Sequence, residues 1–241
     1  MNAIEIRELT KKYKDIVAVD RLSLEVREGE LFALLGINGA GKSTTVKMLS
    51  CLCKPTAGDA YILGKSIICD SADIKQLIAV SPQETAVAGG LSVLENLQLI
   101  CSINGFNEEK SAQKIAFVSQ KLGLDSVMSR RASKLSGGWQ RRLSIAMALI
   151  SEPRILFLDE PTLGLDVIAR SDLWDIIRGL KGSVTIVLTT HYMEEAEALS
   201  DMIGIMREGR LIACDTAENL KKRADTPTFE QAFIKIIKEE I

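Results

Sequence analysis

Gly36-Ile37-Asn38-Gly39-Ala40-Gly41-Lys42-Ser43 follows the apolar run Leu31-Phe32-Ala33-Leu34-Leu35 and leads into Thr44-Thr45-Val46-Lys47-Met48-Leu49. The order predicts a buried strand, a glycine-rich loop and a helix. A polyphosphate needs many N–H donors converging on a small volume, and glycines let backbone come that close without a Cβ clash. The following helix turns its positive end to the same place. Lys42 adds a full charge for the β- and γ-phosphate oxygens, and the Ser43 hydroxyl suits a magnesium ion bridging them. An ordinary glycine-rich turn is the plainer alternative, and the whole stretch with its flanks argues against it. A dinucleotide fold is disfavoured, because Lys42-Ser43 stands where such a loop carries small or apolar residues. The loop predicts a bound nucleoside triphosphate.

A chain of 241 residues has room for one sizeable core with an inserted subdomain. Hydrophobic residues at 46% and charged ones at 26% are ordinary for a soluble globular protein. Thirty basic against thirty-two acidic residues give a net charge of −2, so no strong pull toward nucleic acid is expected. No apolar run approaches the roughly 20 residues a membrane span requires, and Met1-Asn2-Ala3-Ile4-Glu5 lacks the basic and apolar regions of a signal peptide. Of the five cysteines only Cys51 and Cys53 are close, without a second pair or a nearby histidine. Reduced, mostly buried thiols are expected rather than a metal site.

Residues 3–9 and 22–27 read as strands, the second with Leu22, Leu24 and Val26 alternating against Ser23, Glu25 and Arg27. A loop at 54–58 leads to a short strand, Tyr61-Ile62-Leu63-Gly64, and a buried strand near 78–81 runs into Pro82-Gln83. The pattern then turns helical. Ser92-Val93-Leu94-Glu95 is a capping box, and a second helix over 108–122 is stopped by Gly123. Strands return at 155–158 and 184–188, with a helix near 167–180 between them. Long crossovers of this kind mean a mostly parallel sheet covered on both faces, with 85–135 as a helical insertion. Thr228-Phe229-Glu230-Gln231 is a further capping box. Its apolar stripe, Phe229, Ala232, Phe233, Ile236 and Ile237, predicts packing on the chain's own domain, with a partner as the minority alternative.

Ile155-Leu156-Phe157-Leu158-Asp159-Glu160 supplies the second half of a nucleotide site: a central strand that delivers two acids at its carboxyl end. Asp159 suits magnesium, through a water, and Glu160 could orient and deprotonate a water attacking the γ-phosphate. Leu135-Ser136-Gly137-Gly138-Trp139-Gln140 is a second anion site at a helix start. With one phosphate loop already present, a second cradle makes sense if it serves a nucleotide held by another copy.

These ordered motifs resemble the ATP-binding subunit of ATP-binding cassette (ABC) transporters over essentially the whole chain. Residues 36–43 are similar to Walker A and the Asp159-Glu160 strand to Walker B. Residues 135–139 resemble the LSGGQ signature, with Trp139 in place of the final glutamine. Gln83 matches the glutamine that links magnesium and attacking water to the membrane subunit, and His191 the switch histidine at the γ-phosphate. Tyr13 resembles the aromatic that stacks on adenine. Leu163-Gly164-Leu165-Asp166 falls where the D-loop crosses the dimer interface, with Val167 where many relatives have proline.

The resemblance implies an α/β fold: a P-loop NTPase core with a mostly parallel sheet, an antiparallel β subdomain and an inserted helical subdomain. It implies a core over 1–84 and 136–215, the helical part over 85–135 and a helical tail over 216–241. It assigns Glu160, His191 and Gln83 to catalysis, and Ser43, Gln83 and Asp159 to Mg2+. ATP would be held by Tyr13, Gly36, Ile37, Asn38, Gly39, Ala40, Gly41, Lys42, Ser43 and Thr44, and across a head-to-tail dimer by Ser136, Gly137, Gly138 and Asp166. Separate membrane subunits would form the pore, placing the chain in the cytoplasm at the inner face of the cell membrane. Gly164-Leu165-Asp166 and the segment 190–197 resemble the separate ATPase subunits of drug, antibiotic and ion exporters. An importer subunit and a soluble ABC protein are the alternatives, whereas a P-loop kinase would leave the signature without a purpose.

Overall fold

In the computed structural model, which describes residues 1–239, the run that opens the phosphate loop is a strand, β3 (Leu31–Gly36), buried along its whole length. It lies inside a six-stranded sheet with β6 (Ile78–Ser81), β7 (Ile155–Asp159), β8 (Thr185–Thr190), β9 (Met202–Arg207) and β10 (Arg210–Asp215). The order is β10-β9-β3-β8-β7-β6, parallel except for the β10–β9 hairpin. In a second sheet, β1 (Asn2–Tyr13), β2 (Ile16–Arg27), β4 (Ala57–Ile62) and β5 (Lys65–Ser66) are ordered β2-β1-β4-β5, all antiparallel. The expected combination of parallel core and antiparallel subdomain is therefore present.

Alternation along the central strands decides what covers each face. Phe32, Leu34, Ile155, Phe157 and Val187 point to one side, where Val46, Met48 and Leu49 of α1 (Lys42–Leu49) and the second sheet pack on them. Leu31, Leu156, Leu158, Ile186 and Leu188 point to the other side. There they meet α3 (Val93–Ile103), α4 (Glu108–Leu122), α5 (Gly137–Leu149) and α6 (Val167–Leu180), while α2 (Ser71–Leu77) precedes β6 at the sheet's edge. The capping box at Ser92 and Glu95 has both its hydrogen bonds, and Gly123 ends α4 in the left-handed conformation at φ +66°.

Two sequence expectations shift. Ala57 and Gly58 belong to β4 rather than to a loop, and Leu63-Gly64 form the turn after it. Gly58 sits at a register break between β1 and β4 with φ +73°, where a Cβ would stand 2.2 Å from the Glu8 carbonyl oxygen. A bulge glycine of this kind reads locally as loop. The cysteines are also less buried than expected: Cys101 is buried, Cys51 and Cys53 are half-buried, and Cys69 and Cys214 are exposed. Among the described residues no helix is long and apolar enough to cross a membrane.

The chain ends in α7 (Met193–Leu199), α8 (Ala217–Ala224) and α9 (Phe229–Glu239); residues 240–241 of the expected tail lie outside the described residues. Thr228 Oγ1 accepts the Gln231 N–H at the start of α9. Its stripe packs on the chain itself, with Phe229, Ala232, Phe233 and Ile236 buried against Ala33, Leu35, Ile203 and Ile205. Phe229→Ala should therefore destabilise the fold by about 3–5 kcal/mol, read as a lowered urea midpoint, whereas Ile234→Ala on the exposed side of α9 should leave the midpoint nearly unchanged.

Candidate nucleotide site

Parallel register brings the site together. Leu35 pairs with Thr190 and Asp159 with Thr189, so β3, β8 and β7 end at one edge of the sheet, where open α/β sheets bind ligands. The loop after β3 is shaped by two close approaches. A Cβ on Gly36 would lie 2.5 Å from the Met206 carbonyl oxygen, and one on Gly41, at φ +102°, 2.5 Å from that of Ala18. The Gly209 N–H donates to the Ala40 carbonyl at 3.0 Å, which ties the loop to the β9–β10 turn.

The resulting cleft of about 410 Å³ is lined by Ala18, residues 38–44, Gln83, Glu160, Leu163 and His191. Lys42, 4% exposed, donates to the carbonyls of Gly36 (2.8 Å) and Ile37 (3.2 Å), with Glu160 Oε1 at 3.7 Å. Burial pushes its pKa down, and the charge of Glu160 pulls it back up. A buried ammonium whose counter-charges, Glu160 and Asp159, make no close ion pair with it favours a further anion. Ser43 Oγ donates to Asp159 Oδ1 at 3.1 Å, and Thr189 Oγ1 donates to the same oxygen at 2.5 Å. Ser43, Asp159 and the Gln83 amide are an all-oxygen donor set, the chemistry Mg2+ prefers.

Glu160 leaves β7 at φ +47°, an uncommon conformation for a residue with a side chain. Its N–H is held by the carbonyl and hydroxyl oxygens of Thr189, both at 3.1 Å. The carboxylate is thereby turned toward Lys42 and toward His191, whose Nδ1 is 3.0 Å from Oε2. An ionised carboxylate only accepts, so a hydrogen bond in this pair requires the proton on Nδ1.

Other expected residues lie elsewhere. Gly36 is buried beneath the loop, and Ile37 is 51% exposed beside the cleft. Tyr13 is exposed and does not line the phosphate cleft; its Oη is 3.9 Å from Cys53 Sγ, and Lys11 Nζ stands 5.0 Å from its ring centre. Ser136, Gly138 and Asp166 line a second cleft, of about 350 Å³, with Trp139, Arg142, Ile168, Ala169 and Asp172. Ser136 is the N-cap of α5, yet its side chain makes no capping bond. Gly137 is exposed at the rim. Trp139 is half-buried, with the Arg142 guanidinium 4.8 Å from its ring centre. Leu163, expected at the dimer interface, lines the first cleft instead, and Ala18 and Thr189 carry no site signal in the sequence. Ala18 and Thr189 are placed by strands that come together over long sequence separations, which no local pattern signals, whereas Leu163 follows from the turn after β7.

Residues 19–163 match the ABC transporter family. The chain is 41% identical over 240 residues to the probable multidrug ABC transporter ATP-binding protein YbhF of Escherichia coli, covering 97% of this chain and 41% of that protein. The chain belongs to the ABC transporter family. It thus spans less than half the length of that relative. It is also 39% identical over 220 residues to the daunorubicin/doxorubicin resistance ATP-binding protein DrrA of Streptomyces peucetius, over 91% of this chain and 67% of that one. A dimeric ATP-binding cassette solved in a post-hydrolysis state with ADP and Pi shares the fold with a TM-score of 0.80 and 26% identity, covering 88% of this chain and 98% of that one.

The two glycines that support this cassette's loop separate strain from clash. Gly39, at φ +83°, faces open space. Gly39→Ala should cost about 1–2 kcal/mol of backbone strain. Gly41→Ala adds a collision with the Ala18 carbonyl and should cost more than Gly39→Ala in thermal denaturation.

Proposed function

We propose that the chain is the ATP-binding and ATP-hydrolysing subunit that powers an ABC transporter, closing head to tail with a second cassette on two ATP molecules. The observation that carries this reading is that one chain presents two separate clefts, each lined by one set of the expected nucleotide residues. The glycine loop, Lys42 and Glu160 line one cleft, while Ser136, Gly138 and Asp166 line another, beside a helix start left without a side-chain cap. A γ-phosphate bound by the first cleft of one copy would meet the positive end of α5 in the other. The dimeric relative with ADP and Pi supports this arrangement.

In this reading Lys42 and the loop N–H groups bind the phosphates, Tyr13 stacks on adenine, and Ser43, Asp159 and Gln83 hold Mg2+. The ion, when bound, offsets the charge on the β- and γ-phosphate oxygens. Glu160 orients a water and accepts its proton as the new O–P bond forms and the β–γ bridging bond breaks, releasing ADP and phosphate. His191 steadies the Glu160 carboxylate until the γ-phosphate arrives. The core over 1–84 and 136–215 performs this chemistry. The helical part over 85–135 docks on membrane subunits at the cytoplasmic face of the membrane, and the described part of the tail, 216–239, packs on the core. The names of YbhF and DrrA support export as the direction.

Glu160→Gln keeps the shape but removes the proton acceptor. Hydrolysis should fall by about 10²–10⁴-fold, and size-exclusion chromatography with ATP and Mg2+ should show the closed dimer accumulating.

Ser136→Arg should spare its own phosphate cleft and obstruct the partner's. Mixed with Lys42→Ala chains, it gives heterodimers holding one composite site free of both substitutions. Each variant alone should be inactive and the mixture should regain part of the hydrolysis rate. A Ser136→Arg chain unable to bind ATP as a monomer would contradict the trans arrangement.

A further inference from the structure

Three consecutive residues at the end of β6 are held by one face of α5. Ser81 Oγ and Ser144 Oγ lie 2.9 Å apart, both buried. Arg141, one turn before Ser144 on that face, donates from Nη1 to the Pro82 carbonyl and from Nη2 to the Gln83 carbonyl, each at 2.5 Å. Its side chain is buried. Burial pushes the guanidinium's pKa down, against the pull of the Asp159 and Glu195 carboxylates.

A buried arginine is costly unless its planar fork is satisfied, and a contact that served packing alone would be met as well by an apolar side chain. What the two bonds fix is the backbone at 82–83, the point from which Gln83 reaches the cleft shared with Lys42, Ser43 and Glu160. The far end of the same loop is held as well. Asn96, fully buried on α3, accepts the Ala88 N–H at 2.8 Å and donates to the Ala88 carbonyl at 3.1 Å.

We propose that Arg141 is a positioning residue, whose two-pronged hold on the Pro82 and Gln83 carbonyls sets Gln83 in the cleft. The inference rests on the reading of Gln83 as the group facing Mg2+ and the attacking water. Arg141 touches neither, and hydrolysis depends on it only through Gln83. The helix that carries Arg141 has Ser136 as its N-cap residue. The element that orients Gln83 in one cleft is therefore the element offered to the neighbouring copy's nucleotide.

The test compares Gln83→Ala, Arg141→Met, Arg141→Lys and the Gln83→Ala/Arg141→Met double variant in the full chain. Arg141→Met should lower kcat by about ten- to a hundredfold, as a misplaced group does. It should raise the Mg2+ concentration needed for half-maximal rate and leave ATP affinity within about threefold. Arg141→Lys, which can reach only one carbonyl at a time, should fall between wild type and Arg141→Met. The double variant should be no slower than Gln83→Ala alone, because both changes act on one group. Multiplying losses in the double variant, or a wild-type kcat for Arg141→Met, would reduce Arg141 to a packing role while leaving the site reading intact. Wild-type turnover by Gln83→Ala would instead remove the site reading, and this proposal with it. If Arg141→Met fails to fold, Arg141→Lys carries the same readouts, and full kcat there overturns the proposal.

Discussion

Everything in this chain depends on two places where backbones pass closer than a side chain permits. Gly36 runs under the Met206 carbonyl and Gly41 under that of Ala18, at positions where a Cβ would stand 2.5 Å from oxygen. Those approaches draw β2 and the β9 end of the sheet against the phosphate loop, so the antiparallel sheet and the parallel core meet at the cradle. The loop's conformation is thus set by three elements besides its own strand and helix. A site that aims backbone N–H groups at an anion gains from having its conformation held by such contacts.

Charge is arranged with the same economy. Lys42, Glu160 and His191 form a chain from the floor of the cleft to its wall, with contacts of 3.7 and 3.0 Å. Glu160 is 8% exposed, so its carboxylate depends on those partners and on the backbone turn that aims it. Asp159, one residue earlier on the same strand, points into a different set of donors, Ser43 and Thr189. Neighbouring acids at a strand end thereby reach separate partners because successive side chains point opposite ways and the backbone turns sharply at Glu160.

Much of this was legible in the sequence. The phosphate loop, the capping box at Ser92, the glycine stop at Gly123 and the acid pair after β7 each have a local signature, and each lies where its signature put it. The face on which α9 packs was legible too, from the spacing of Phe229, Phe233 and Ile236. The illegible parts share one cause, long-range pairing. Gly58 looks like loop because its strand bulges against Glu8, and Ala18 enters the cleft only because β2 passes beside Gly41. Thr189 reaches Asp159 through the β7–β8 register. The exposed cysteines show a further limit, since a small apolar side chain carries no periodic signal by itself.

One oxygen atom ties three segments together. Glu195, fully buried on α7, accepts at Oε1 from Thr162 Oγ1 (2.8 Å) and from Trp174 Nε1 of α6 (3.2 Å). Thr162 lies in the short turn that runs from Glu160 in the first cleft to Asp166 in the second, and Glu195 lies one turn past His191. That turn is pinned near its middle to α6 and α7, and its ends lie in different clefts. The same pinned turn therefore carries residues of both clefts, Glu160 and Leu163 of the first and Asp166 of the second.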